Sequence, residues 1–325
     1  MRVVLAVSEP PIWVMPPAIV ARIREQLCDL DVVEATEPGS RARELPRADV
    51  LVTTWLTEAE GDAAVHVRWI HSTAVGVGAL LDGLGSGGRA VLVTNSRGVY
   101  AEPIAEHAIA LTLALRRGLH TARTRQLERT WAQAELLEAA ARPLSDATLL
   151  VVGLGAIGSR VASFARGLGM RVVGVRRRLE LPAPDGVEVL PFSRLRDALP
   201  QADAVVLALP TTEETRGLIG RDELELMRPS AVLVNVARGA LVDEPALIAA
   251  LEAGRLAGAG LDAFACEPLA ADSPLWRLPN VLVTPHSASF RDEYWRPTAD
   301  LFLDNMARFR RGDRLLNVVD PARGY

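Results

Sequence analysis

Three polar residues stand just past short apolar runs in the latter half of this chain: Arg238 after 232–237, Glu267 after 261–266 and His286 after 281–285. The runs read as strands of one parallel sheet, and in such sheets ligands bind beyond the carboxyl ends of the strands. A guanidinium placed there grips a carboxylate through charge-assisted hydrogen bonds and polarises a nearby carbonyl. An imidazole has an unperturbed pKa of ~6.5, and an adjacent carboxylate favours its protonated form and fixes its tautomer. Arg238 is therefore a candidate to hold a 2-keto acid, His286 to protonate the alkoxide formed when a hydride reaches the carbonyl carbon, and Glu267 to support that proton donor. Each has a structural reading when taken alone: a surface arginine before the turn at Gly239, a loop start at Glu267-Pro268, a histidine held behind Pro285. Their occurrence at equivalent ends of three successive strands favours a catalytic site.

A hydride donor needs a berth, and Gly153-Leu154-Gly155-Ala156-Ile157-Gly158 supplies the pattern for one. The first glycine permits a tight turn, the second a close backbone approach to a pyrophosphate, and the third close helix-strand packing. The N–H groups of the following helix, from Ala156 and Ile157 onward, then face the anion. The glycine pattern alone is weak. Here a strand (149–152) precedes it, a helix (159–168) follows, and a second strand (171–175) comes next, as the motif requires. At the tip of that second strand an NAD enzyme places Asp or Glu against the ribose 2′-OH. This chain has Arg176-Arg177-Arg178, 18 residues after Gly158. Guanidinium groups bind a 2′-phosphate, whereas a carboxylate repels it. The expectation is NADP(H) as preferred cofactor and NAD(H) as second choice, with Arg176 and Arg177 as contacts; the bland reading is a solvated basic turn.

The elements that must position these groups are short apolar segments at 3–7, 50–53, 69–72 and 91–94, then 149–152, 171–175, 204–209, 231–236, 260–264 and 281–284. Unbroken rather than alternating hydrophobicity marks strands covered on both faces, and their alternation with helix-length segments predicts an α/β protein. The 325 residues exceed what one core usually organises. Two Rossmann-like, doubly wound parallel-sheet domains with a cleft between them are expected. A helix at 104–115, apolar on most faces, opens the second domain behind Gly98. A last helix at 298–311 has no strand of its own and is placed back on the first. The boundaries are 1–98 plus 289–325 for a flavodoxin-like, substrate-binding domain and 99–288 for the dinucleotide-binding domain.

Composition excludes several other classes. Thirty-six Lys and Arg are interspersed with 40 Asp and Glu for a net charge of −4, so no basic field attracts nucleic acid. No window approaches the ~20 apolar residues of a membrane span, and the apolar start of the chain is too short for a signal peptide. Cys28 and Cys266 have neither metal-type spacing nor a disulfide framework, which fits a cytoplasmic protein without a metal.

Taken together, Asn235-Val236-Ala237-Arg238-Gly239, Leu261-Asp262-x-Phe264-x-x-Glu267-Pro268 with Ser273-Pro274-Leu275-Trp276, and Thr284-Pro285-His286 resemble the three signature segments of the D-isomer-specific 2-hydroxyacid dehydrogenases. The resemblance covers nearly the whole chain and is strongest over 149–289. It implies Arg238, Glu267 and His286 as catalytic residues, Asp262 facing the nicotinamide carboxamide, and Val236, Ala237, Pro210 and Thr215 lining the cofactor. Ser72-Thr73-Ala74-Val75-Gly76-Val77-Gly78 looks like the family's carboxylate-binding loop, which implicates the backbone of Val75 and Gly76. The family often carries Asp where Gly78 stands. Within the family the basic strand tip and the terminal 319–325 segment are similar to the glyoxylate/hydroxypyruvate reductase branch, which uses NADPH.

That branch implies a small 2-keto acid reduced to the D-2-hydroxy acid, and family habit implies a homodimer. Trp131 resembles an aromatic that reaches a neighbouring subunit in some reductases, with a packed core Trp as its alternative. His107, in Ala105-Glu106-His107-Ala108, rivals His286 but is read as structural because it lies within a helix. The competing functions are a related phosphite- or formate-type dehydrogenase and a dinucleotide-sensing binding protein of the corepressor type. The first is disfavoured by Val75, where phosphite enzymes carry Lys, and by the presence of Glu267, an acidic partner that formate enzymes lack.

Overall fold

The computed structural model of the protein describes residues 1–9, 13–85, 91–139 and 142–321. Contacts among Cα atoms group these into two compact units, one of 1–99 with 291–325 and the other of 100–290.

In the first unit the strands are β1 (Arg2–Leu5), a two-stranded antiparallel hairpin of β2 (Ser8–Glu9) and β3 (Trp13–Val14), then β4 (Asp31–Glu34), β5 (Val50–Thr53), β6 (Trp69–Ser72) and β7 (Leu92–Thr94). The main sheet has the order β4-β1-β5-β6-β7, every pair parallel. Along β1, Val3 and Leu5 join one apolar cluster while Val4 joins another. A strand buried on both faces has no solvent side, hence the unbroken apolar run. The helix Arg296–Arg311 closes one face: Phe302 and Met306 share a cluster with Val3, Leu5 and Trp69, and Trp69 stacks on Phe302 with ring centroids 5.5 Å apart. Its end is set by Gly312, whose left-handed φ of 74° suits glycine. Beside Trp69 lies His71, fully buried; burial pushes its pKa down to about 3, so the ring packs as a neutral group.

The second unit carries β8 (Thr148–Val152), β9 (Arg171–Arg176), β10 (Glu188–Pro191), β11 (Ala204–Leu207), β12 (Val232–Asn235), β13 (Gly258–Leu261) and β14 (Val281–Val283). They form a seven-stranded parallel sheet in the order β10-β9-β8-β11-β12-β13-β14. The order reverses between β8 and β11, the switch point beyond which dinucleotides bind in doubly wound sheets. The helix Ala101–Arg116 packs on the helix Ala156–Gly167 and on β12 and β13, which buries Ile104, Ala105, Ala108, Leu111 and Leu115.

The doubly wound α/β class is as expected, but the sequence reading lacks the hairpin strands β2 and β3 and, in the two parallel sheets, β4 and β10. The last two are edge strands with a charged residue at one or both ends, DVVE and EVLP, and they are only partly buried. An edge strand is covered less completely and so carries less of the apolar signal. No helix among the described residues is long and apolar enough to cross a membrane. Both cysteines are free and exposed.

Candidate active site

Beyond the ends of β13 and β14, two of the three candidate groups meet. His286 Nδ1 lies 2.7 Å from Glu267 Oε2, while Glu267 Oε1 accepts the Phe264 N–H at 3.0 Å. With both carboxylate oxygens engaged, the Glu267 side chain has one orientation, and the imidazole must donate from Nδ1 to it. Nε2 is left as the nitrogen that can pass a proton to a ligand. Burial pulls the Glu267 carboxyl upward. Hydrogen bonds from His286 and the Phe264 N–H, with the nearby charges of His286 and Arg238, outweigh this and hold it below the ordinary carboxylate range.

His286 sits at φ 51°, in the left-handed region that residues other than glycine seldom adopt, and a backbone so placed is costly unless its neighbours fix it. Asp262, one residue past β13, does so. Its Oδ1 accepts the Ser287 N–H at 2.8 Å and its Oδ2 the Ala288 N–H at 3.0 Å. Successive N–H groups beside a left-handed residue form a cradle for a negative charge. The Thr284 hydroxyl donates to the same Oδ1 at 2.6 Å. Asp262, expected to face a carboxamide, is thus 2% exposed and largely engaged by the 284–288 turn.

Arg238 follows β12, in a turn held by Asn235: the Asn235 Oδ1 accepts the Ala237 N–H at 3.0 Å and its Nδ2 donates to the Arg238 carbonyl at 2.9 Å. The Arg238 side chain is exposed, and among the described residues its guanidinium has one hydrogen-bond partner, the Ala237 carbonyl. Most of its donors are available to an anion, and its charge acts on Glu267. The arrangement can bind a carboxylate and deliver a proton beside it.

The glycine loop follows β8. Gly153 has φ 97°, and a Cβ on Gly158 would sit 1.8 Å from the Gly153 carbonyl oxygen, so neither position admits a side chain. At Gly155 a Cβ would meet no atom within 4 Å, and no side chain caps the helix that begins at Ala156. Open space beside an uncapped helix N-terminus is what a pyrophosphate requires. These residues fit a dinucleotide.

Comparison with known proteins bears on the same residues. The model of the D-isomer specific 2-hydroxyacid dehydrogenase NAD-binding domain matches residues 109–288. A glyoxylate reductase of Korarchaeum cryptofilum is 39% identical over 235 residues, 71% of this chain and 70% of its own. A glyoxylate/hydroxypyruvate reductase B of Klebsiella pneumoniae is 36% identical over 234 residues, 72% of each chain. The chain belongs to the D-isomer specific 2-hydroxyacid dehydrogenase family. Among solved structures, the family member of Xanthobacter autotrophicus Py2, determined with NADPH and MES, superposes with a TM-score of 0.87 at 30% identity, covering 100% of this chain and 99% of that one. The protein is therefore an NAD(P)-dependent D-2-hydroxyacid dehydrogenase.

In this dehydrogenase the basic strand tip differs in detail from the sequence reading. Arg176, the last residue of β9, is 8% exposed, and its guanidinium donates to the carbonyls of Leu179, Leu181 and Pro182. It folds the loop after the strand over itself, because a buried guanidinium must find acceptors. Arg177 pairs with Glu214. Arg178 is exposed and has no hydrogen bond or ion pair among the described residues. Thr215 is turned inward: its hydroxyl accepts the Thr212 N–H at 2.7 Å and donates to the Pro210 carbonyl at 2.9 Å, so it braces the turn after β11. Beside it, the buried Thr211 hydroxyl oxygen has no partner among the described residues. Val236 is buried and Ala237 half-buried at the end of β12.

In the first unit, Val75 and Gly76 lie in the loop after β6, where Asn95 Nδ2 donates to the Val75 carbonyl at 2.8 Å. Neither of their N–H groups has a partner among the described residues. Trp131 is 90% exposed, which excludes the packed-core reading. Residues 322–325 of the terminal segment lie outside the described residues. Sequence reasoning quoted Asn235 and Thr284 within the signature segments but gave neither a role, and it missed the contact of His107 with Thr284. An Asn closing an apolar strand just before the Arg was the available signal for the first, since Asn favours such side-chain-bonded turns. For Thr284 the signal was its place two residues before His286; the His107 contact, 177 residues away, carried none.

Proposed function

We propose that this enzyme reduces glyoxylate, hydroxypyruvate or a 2-keto acid of similar size to the D-2-hydroxy acid, with NADP(H) preferred over NAD(H). The observation that carries the reading is the 2.7 Å contact between His286 Nδ1 and Glu267 Oε2, next to a guanidinium that among the described residues is bonded only to the Ala237 carbonyl. A bound reduced nicotinamide would supply the hydride. Gly153–Gly158, Val236, Ala237 and the turn at Pro210–Thr215 would hold that cofactor. Arg238 binds the substrate carboxylate and polarises the carbonyl, and the backbone N–H groups of Val75 and Gly76 are the substrate contacts assigned to the first unit. His286 delivers its Nε2 proton to the developing alkoxide, and Glu267 steadies the imidazolium through Nδ1. The substrate class is supported by the glyoxylate reductase names of the relatives from Korarchaeum cryptofilum and Klebsiella pneumoniae.

The cofactor preference is supported by the absence of Asp or Glu at 176–178 and by the NADPH bound to the Xanthobacter autotrophicus relative. Arg176 shapes the loop, while Arg177 and Arg178 are assigned to the 2′-phosphate. A panel of small 2-keto acids with each cofactor, followed at the nicotinamide absorbance, tests the whole reading. Turnover on glyoxylate or hydroxypyruvate with NADPH is the expected result. No turnover on any small 2-keto acid, or better turnover with NADH, would sink it. Replacing Arg177 and Arg178 together with Asp lowers NADPH affinity by roughly 10–100-fold, the worth of one charge-assisted hydrogen bond, and spares NADH.

A homodimer belongs to the same proposal. Trp131, Leu127 and Leu137 are 90%, 68% and 76% exposed within one short stretch, more apolar surface than a solvated helical arm usually shows. Sedimentation velocity should find a dimer for the wild type and a weakened one for Trp131→Glu; a monomeric wild type at micromolar concentration refutes it.

A further inference from the structure

The mechanism leaves unused one polar chain, part-buried at His107 and Thr284 and buried at Asp262. His107, on the helix Ala101–Arg116, has its Nε2 3.0 Å from Thr284 Oγ1, and Thr284 Oγ1 lies 2.6 Å from Asp262 Oδ1. His107 Nε2 is 3.8 Å from that same carboxylate oxygen, beyond direct hydrogen bonding. The direction of the chain follows from proton count. A threonine hydroxyl has one proton, and Asp262, which already receives two backbone N–H groups, takes it at the shorter contact. Thr284 Oγ1 must then accept from His107, so Nε2 carries the hydrogen. The result is a directed chain from His107 through Thr284 to Asp262, ending on the carboxylate that cradles the turn around His286.

We propose that His107 and Thr284 are positioning residues for the proton donor: they orient the Asp262 carboxylate, and that carboxylate keeps His286 in its left-handed backbone conformation. The Ser287 and Ala288 N–H groups each take one carboxylate oxygen but belong to the turn itself, so alone they leave the carboxylate free to shift with that turn. The Thr284 hydroxyl removes that freedom, and His107 fixes the hydroxyl. The inference rests on His286 being the proton donor. It gives His107 a task within the site although it sits in a helix, away from the strand ends.

The experiment compares Thr284→Val, which keeps the shape and removes the hydroxyl, with Thr284→Ser, which restores it. Thr284→Val lowers kcat for 2-keto acid reduction by about tenfold, the size expected for one hydrogen bond within a polar network. The KM and the NADPH dissociation constant, read from protein fluorescence, stay within about twofold in both variants, and Thr284→Ser recovers most of the rate. In the wild-type protein, ¹⁵N spectra of the histidine rings show His107 as the Nε2–H tautomer, a readout independent of turnover and of the variants' folding. A kcat within twofold of wild type for Thr284→Val, an equal loss in Thr284→Ser, or an Nδ1–H tautomer for His107 overturns the proposal. If His286→Ala itself loses less than tenfold, the reading of His286 has failed instead, whatever Thr284 does.

Discussion

Exchanging His286 for Asn lowers kcat for keto acid reduction by roughly 10²–10⁴-fold, the usual worth of a positioned proton donor, while NADPH still binds. Glu267 occupies Nδ1, so Nε2 is the nitrogen free to reach a ligand, and Asn offers no proton with comparable acidity there. The imidazole is 42% exposed, so its loss should not unfold the unit. The pH dependence follows from Glu267. Its carboxyl titrates below its ordinary value, so the group is a carboxylate throughout neutral pH. The pairing contributes to stability above the ordinary carboxylate pKa and is lost as pH falls through the lowered folded value. The kcat profile of the wild type should therefore show no inflection from Glu267 at or above its ordinary value. Stopped-flow reduction with a parallel fluorescence titration of NADPH checks both halves. A loss smaller than tenfold, or an equal loss of cofactor affinity, would contradict the assigned role.

The second large effect is at Arg238. Arg238→Gln reduces kcat/KM by about 10²–10³-fold, comparable with removing a donor aimed at developing negative charge. Gln keeps a hydrogen-bond donor but neither the charge nor the fork that grips a carboxylate. Arg238→Lys should recover little, because an ammonium is a point charge without the two parallel donors of guanidinium. The structure makes these variants clean to interpret: the Arg238 side chain is exposed and bonded only to the carbonyl of its neighbour Ala237 among the described residues, so the turn held by Asn235 survives the exchange. Steady-state kinetics on glyoxylate and hydroxypyruvate, with melting temperatures for all three forms, make the measurement. Lys performing as well as Arg would show that geometry at this position is irrelevant and would end the carboxylate assignment.

How much of this was legible beforehand depends on how local each signal is. Strands buried on both faces announced themselves as apolar runs, and Gly153, Gly155 and Gly158 marked a turn whose backbone leaves no room for side chains at its first and last glycine. Arg238, Glu267 and His286 could be placed at strand ends because a parallel sheet puts all its carboxyl ends on one side. The edge strands β4 and β10 were missed, since partial cover allows polar residues. From its position at the strand tip Arg176 reads as a 2′-phosphate contact, yet in the folded chain its guanidinium donates to three carbonyls of the loop that follows.

The sequence by itself determined the sheet class, the dinucleotide loop and the identities of the polar groups, because those depend on residue type and on spacings of a few positions along the chain. Only the tertiary structure decided which atom meets which. The His286 ring is held through Nδ1, Asp262 is spent on the turn around it, and His107, 177 residues before Thr284, reaches that turn. Hydrogen bonds depend on tenths of an ångström and on direction, and contacts that close over so many residues leave no periodic trace in the sequence that makes them.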